Sequence, residues 1–164
     1  MIITRAADLA DVPAMSRVLT ASIIQLCAAD HQEAPDAIAA WTANKSEAGV
    51  ATMLANPMLQ MFVATDADTV LAVGAVSNDG QIALNYVDPA ARFRGVSKLL
   101  LARLEAELIA MGWGEARLEA TETARRFYLA AGWVADGPQA TGRRVNGYPM
   151  RKQLVARLSP ANAP

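Results

Sequence analysis

The stretch Tyr86-Val87-Asp88-Pro89-Ala90-Ala91-Arg92-Phe93-Arg94-Gly95-Val96-Ser97-Lys98-Leu99-Leu100 carries an apolar strand through an Asp-Pro turn into a basic, glycine-bearing loop and then a helix. That order leaves unpaired backbone N–H groups and the positive end of a helix dipole at one point, the arrangement that receives phosphate. Two common phosphate binders are excluded. No Gly-Lys-Ser/Thr closes the loop, and G-x-G-x-x-G is absent. What remains is Arg92-x-x-Gly95-x-Ser97, readable either as a phosphate cradle or as a plain turn with solvated arginines.

Outward from the loop, Val96, Leu100, Leu104, Leu108 and Met111 form one stripe of a helix that Gly112 stops. Upstream, Ile2 to Ala6 reads as a strand and Ala7-Asp8 to Cys27 as a helix whose apolar residues recur at three- and four-residue steps. Asp8 or Asp11 is its cap. The spacing predicts a second helix over Ala34–Ala48. Strands follow over Met61–Thr65, Val70–Ser77 and Gln81–Val87, the last two joined at Asn78-Asp79-Gly80. Beyond the loop helix come a strand Ala116–Ala120, a helix Thr123–Ala131, and strands Trp133–Ala135 and Val145–Leu154. The class is α/β, with helices covering a mixed sheet.

A chain of 164 residues fits one domain, expected over 1–156, with 157–164 a frayed tail. Cys27 stands alone in an apolar helical setting, which excludes a disulfide framework and fits a buried hydrophobe in a reducing compartment. No apolar run approaches the ~20 residues of a membrane span, so a cytoplasmic location without membrane partners is expected. Net charge is −1, but residues 1–90 carry three bases against ten acids and residues 91–164 twelve bases against six acids. The basic half suits an anionic ligand and the acidic half a cationic one. The bases are dispersed and form no stripe with aromatics, which argues against nucleic acid.

A second segment decides between cradle and turn. In Thr121-Glu122-Thr123-Ala124-Arg125-Arg126-Phe127-Tyr128-Leu129-Ala130-Ala131-Gly132-Trp133, residues Ala124, Phe127 and Tyr128 share one side of a short helix. Together the two segments resemble the GNAT superfamily of acetyl-CoA-dependent N-acetyltransferases. Val87, Pro89, Arg92, Gly95, Ser97, Leu100 and Leu101 follow its first motif; Ala124, Phe127, Tyr128, Gly132 and Trp133 follow its second. Gly147-Tyr148-Pro149-Met150-Arg151-Lys152-Gln153-Leu154 is similar to its last strand. The chain departs from the family where Ser97 replaces glycine or alanine, Phe93 stands where many members have glycine, and Thr121 replaces asparagine.

The resemblance implies a single-domain GNAT-like fold: a mostly antiparallel twisted sheet of about seven strands, about four flanking helices, and a strand pair splayed at the cofactor site. It implies a bulge near Asn85-Tyr86-Val87, where free backbone groups pair with the pantetheine arm of acetyl-CoA. The pyrophosphate would lie on the N–H groups of Arg94, Gly95, Val96, Ser97 and Lys98, with Arg92 and Arg94 as side-chain candidates and Thr121 as a further polar contact. Val87 N–H is the implied oxyanion donor and Tyr128 the implied acid for the leaving thiolate, against a purely packing role beside Phe127. Acetyl-CoA is then the co-substrate and no metal is called for.

The general base is left open. The strand Gln81–Val87 has no carboxylate, so Glu119 on the neighbouring strand is the best-placed acid, with Asp30 and His31 as rivals. The implied acceptor pocket nominates Asp30, His31, Trp41, Tyr86 and Tyr148, with Ser22, Gln25 and Arg143 nearby. The expected activity is acetyl transfer to a primary amine of a small molecule or peptide, by direct attack in a ternary complex. An acyl-CoA-binding regulatory module without turnover is the alternative; a nucleotide-binding domain is disfavoured. Family members are often dimers, which makes a homodimer an expectation here.

Overall fold

The structure, a computed structural model, describes residues 1–140 and 147–154. Strands β1 (Ile2–Ala6), β2 (Leu59–Asp66), β3 (Thr69–Ser77) and β4 (Ile82–Val87) form one antiparallel sheet in that order. Strands β5 (Glu115–Ala120), β6 (Val134–Ala135) and β7 (Tyr148–Gln153) form a second, ordered β5-β7-β6. Helices α1 (Val12–Leu26), α2 (Ala28–His31), α3 (Pro35–Thr42) and α4 (Glu47–Ala55) lie between β1 and β2. Helix α5 (Val96–Ala110) follows β4, and α6 (Arg125–Ala130) follows β5.

Among the described residues, the two sheets are joined by a parallel bridge between Gln81 and Arg117, where Arg117 N–H donates to Gly80 O at 3.1 Å. Beyond it β4 and β5 diverge. The described residues hold seven strands, the number expected, but as two sheets of four and three joined at this bridge and not as one continuous sheet; the splayed pair is where they part.

The apolar pattern explains the layering. From Val70 to Val76 β3 is buried throughout, because helices cover both of its faces. On one face Leu100, Leu104 and Leu108 of α5 pack against Phe62 and Ala72; on the other, Met15, Val18 and Leu19 of α1 pack against Val63 and Val73. Both predicted caps act on the 3-10 turn Leu9–Asp11 that leads into α1, and no side chain caps α1 itself. Asp8 accepts from Ala10 N–H, while Asp11 accepts from Asp8 N–H and pairs with Arg5 at 2.7 Å.

Two expectations need correction. The helix expected over Ala34–Ala48 is two helices, because the Ser46 hydroxyl accepts from Gly49 N–H and starts α4 afresh. The bulge expected at Asn85-Tyr86-Val87 lies earlier: Ala75 faces Leu84 and Val76 faces Ile82, so Ala83 is the extra residue. Flanking α-helices number six among the described residues, more than the four expected, since α2 and α4 carry little periodic signal. Arg143, the first residues of the Val145–Leu154 strand and the 157–164 tail lie outside the described residues. No described helix is long and apolar enough to cross a membrane.

Candidate functional site

The divergence of β4 and β5 opens a cleft of about 410 Å³. Its outer end is the loop before α5. There Gly95 sits at φ +76°, a left-handed conformation that glycine adopts without strain, and a Cβ on it would meet open space. The first helical bond runs from Leu99 N–H to Gly95 O, and no side chain caps the helix. The N–H groups of Gly95, Val96, Ser97 and Lys98 are therefore the helix's unpaired donors, and all four residues line the cleft. Arg92 lines it too. Arg94 does not: its guanidinium pairs with Asp66 at 2.9 Å.

One wall of the cleft is β4. Asp88 N–H donates to Leu71 O, so Asp88 and Tyr86 point their backbone groups at β3. By alternation, Val87 and Asn85 point theirs across the gap toward β5. These are free edge groups that an extended ligand can pair with as a strand would.

At the inner end, the Asn85 side-chain amide donates to the Tyr128 hydroxyl at 3.0 Å. Phe127 and Trp133 hold the Tyr128 ring edge-to-face at 5.2 and 5.8 Å. Burial pushes the phenol up to about 12, slightly opposed by the Asn85 hydrogen bond, so it stays protonated at neutral pH. Tyr128 thus packs against Phe127 and lines the cleft as well.

A second cavity of about 310 Å³ lies behind the first. Tyr86, Glu119 and Thr121 line both. Trp41 lines the second and donates from Nε1 to the Tyr86 hydroxyl at 3.2 Å. Burial pushes the Tyr86 phenol upward as well. Gly147 presses on Glu119: a Cβ there would come within 3.0 Å of its carboxylate oxygen. Thr121 also accepts from Ala124 N–H at 3.1 Å and so shapes the turn into α6.

Other nominated residues are employed elsewhere. His31 is 2% exposed, with Nε2 donating to Ile23 O and Nδ1 accepting from Glu33 N–H, so both ring nitrogens serve the backbone. Asp30 accepts from Glu122 N–H at 2.6 Å and from the Thr123 hydroxyl at 2.7 Å, tying α2 to the β5–α6 loop. Neither lines either of these two cavities. Tyr148 lies under the Arg125 guanidinium at 4.4 Å, and its hydrogen bond to Glu122 raises its pKa. Ser22 lines the cleft and Gln25 does not.

Sequence reasoning missed Ala37 and Ala40, small residues that with Trp41 form one face of α3 along the second cavity. Their three- and four-residue spacing was the available signal.

Comparisons agree with this geometry. A family model described as an acetyltransferase (GNAT) domain matches residues 27–154. A GCN5-related N-acetyltransferase of Rhodopseudomonas palustris is 25% identical with a TM-score of 0.82, over 93% of this chain and 95% of that one. The PaiA N-acetyltransferase of Thermoplasma acidophilum, solved with coenzyme A, is 18% identical with a TM-score of 0.79, over 93% and 99%. The ribosomal-protein-S18-alanine N-acetyltransferase of Escherichia coli shares the fold at 17% identity and a TM-score of 0.66, over 100% and 99%. No curated protein sequence matches significantly. With its motifs, its splayed strands and the family model in agreement over most of its length, the chain belongs to the GNAT acetyltransferase family.

Proposed function

We propose that the protein transfers an acetyl group from acetyl-CoA to a primary amine of a small molecule or peptide, within a ternary complex. The observation that carries this reading is the meeting of two cavities at Tyr86, Glu119 and Thr121, with the Tyr128 hydroxyl on the cleft side. One cavity has phosphate donors at its far end; the other has an aromatic wall and a carboxylate.

The residues fit the co-substrate. The amides of Gly95 to Lys98 receive the diphosphate, and the outward edge groups of Asn85 and Val87 pair with the pantetheine arm. Acetyl-CoA supplies an activated thioester. Val87 N–H points to the side where negative charge grows on the acetyl oxygen and stabilises it. Glu119 takes the amine proton, directly or through water, since a primary ammonium of pKa about 10 must be neutralised before it attacks. A nitrogen–carbon bond forms as the carbon–sulfur bond breaks, and Tyr128 gives its hydroxyl proton to the departing sulfur. Asn85 occupies the phenol oxygen as a donor, which leaves the hydroxyl hydrogen for the ligand. The second proton of the attacking nitrogen passes through water to restore the Tyr128 hydroxyl, and Glu119 releases the first to solvent, so each turnover frees one net proton.

The test is thiol release from acetyl-CoA across a panel of diamines, amino sugars and peptides. Release above hydrolysis with one amine class, lost in Glu119→Gln, is expected. Tight coenzyme A binding with no release on any amine would replace this reading with that of an acyl-CoA-binding module.

A further inference from the structure

Phe93 is conspicuous at the outer end of the cleft. It is 94% exposed and lines the opening, yet its backbone sits at φ +63°, in the left-handed region where a non-glycine residue is strained. A residue so exposed gains nothing from burial, so neither packing nor backbone preference accounts for a phenylalanine here. Strain of this kind persists at sites that hold ligands. The Arg92 guanidinium lies over the ring at 4.7 Å from its centroid, which steadies it and places a positive charge beside it.

Resting on the acetyl-CoA reading above, we infer that Phe93 and Arg92 form the seat for the nucleotide end of the co-substrate, Phe93 stacking on adenine and Arg92 meeting the ribose phosphate. The direction of the cleft requires this order. The thioester must lie at the inner end beside Tyr128 and Glu119, and the diphosphate on the α5 amides. The adenosine 3′-phosphate then emerges past the loop, on the side where Phe93 stands. A π face accepts a base without any hydrogen-bonding pattern, and a guanidinium pairs well with phosphate.

Binding measurements separate this seat from the rest of the site without any knowledge of the acceptor. Dissociation constants are compared for coenzyme A and for 4′-phosphopantetheine, which lacks the nucleotide, on wild type, Phe93→Ala and Phe93→Trp. The expected result is that Phe93→Ala weakens coenzyme A about tenfold, equivalent to about 1.4 kcal/mol. Phosphopantetheine should stay within about twofold, and Phe93→Trp should keep wild-type affinity for both. Equal weakening of both ligands would mean that Phe93 acts through the loop backbone and would overturn the seat. Unchanged coenzyme A affinity in Phe93→Ala would place adenine elsewhere and overturn it too. Failure of the wild type to bind coenzyme A would instead remove the acetyl-CoA reading, and the seat with it.

Discussion

The side-chain amide of Asn85 on β4 donates a 3.0 Å hydrogen bond to the hydroxyl of Tyr128 on α6, reaching across the gap where the two sheets part. That bond fixes the phenol at the inner end of the cleft and leaves its own hydrogen unspent. Tyr128→Phe should therefore lower the rate of acetyl transfer by about 10²-fold while leaving the coenzyme A dissociation constant within about twofold. Steady-state kinetics paired with calorimetry check the split, and an unchanged rate would return Tyr128 to a packing role.

Gly95 should tolerate substitution in folding and fail in binding. A Cβ at this position meets no protein atom within 4 Å, so Gly95→Glu starts its side chain in open space, and the left-handed backbone costs the fold about 1–2 kcal/mol. The new carboxylate would stand among the α5 donors and compete with the diphosphate. Coenzyme A affinity should drop more than about 10²-fold, with a circular dichroism spectrum like the wild type's. Normal affinity would remove the loop from the binding site.

The sequence made the loop, most of the strands and Tyr128 legible because each has a local cause: a glycine at the turn into a helix, short apolar runs bounded by turn residues, and an aromatic on a short helix face. Contacts between distant segments were not legible. Asp30 meets Thr123, and Arg94 meets Asp66, far along the chain, and neither residue's neighbours announce its partner. The break between α3 and α4 was hidden by an alanine-rich run that continued the helical pattern, so the Ser46 cap passed unnoticed. Lys45 at that corner is buried, and burial lowers its pKa. Ala83 as the bulged residue follows from the pairing with β3 and has no sequence mark.

Asp30 should matter for the shape of the cleft rather than for proton transfer. Its carboxylate holds the Glu122 and Thr123 amides and the Thr123 hydroxyl, next to Thr121 and Ala124 in the cleft wall. Asp30→Ala should raise KM for acetyl-CoA several-fold with little change in the pH profile. Loss of the acidic limb of that profile would instead give Asp30 a direct role as base.

Cys27 should resist alkylation in the native protein. Burial, aided by the nearby Asp30 charge, pushes its thiol up to about 12. An ordinary cysteine ionises near 8.5, so at pH 8 ionisation alone slows native Cys27 by about 10³-fold relative to an unfolded chain. Iodoacetamide labelling with and without denaturant reads this directly. Rapid native labelling would mean that the α1–α2 junction opens readily and that the cleft wall it forms is mobile.

Acid should loosen the β1–α1 corner in a way that one substitution removes. The Arg5 hydrogen bonds, helped by Asp8 N–H, hold the Asp11 carboxyl below its ordinary value of 3.8, against the opposing effect of burial. Because the folded state favours the ionised form, the pair's contribution is complete above that ordinary value and fades as pH falls toward and through the folded one. Arg5 stays charged throughout. Asp11→Asn should thus lower the melting temperature at pH 7 by a few degrees, and the difference from wild type should shrink as pH falls below the ordinary carboxylate range. Melting curves from pH 2 to 7 test it. Parallel curves for the two proteins over that range would show that the pairing of Asp11 with Arg5 does not govern the acid response.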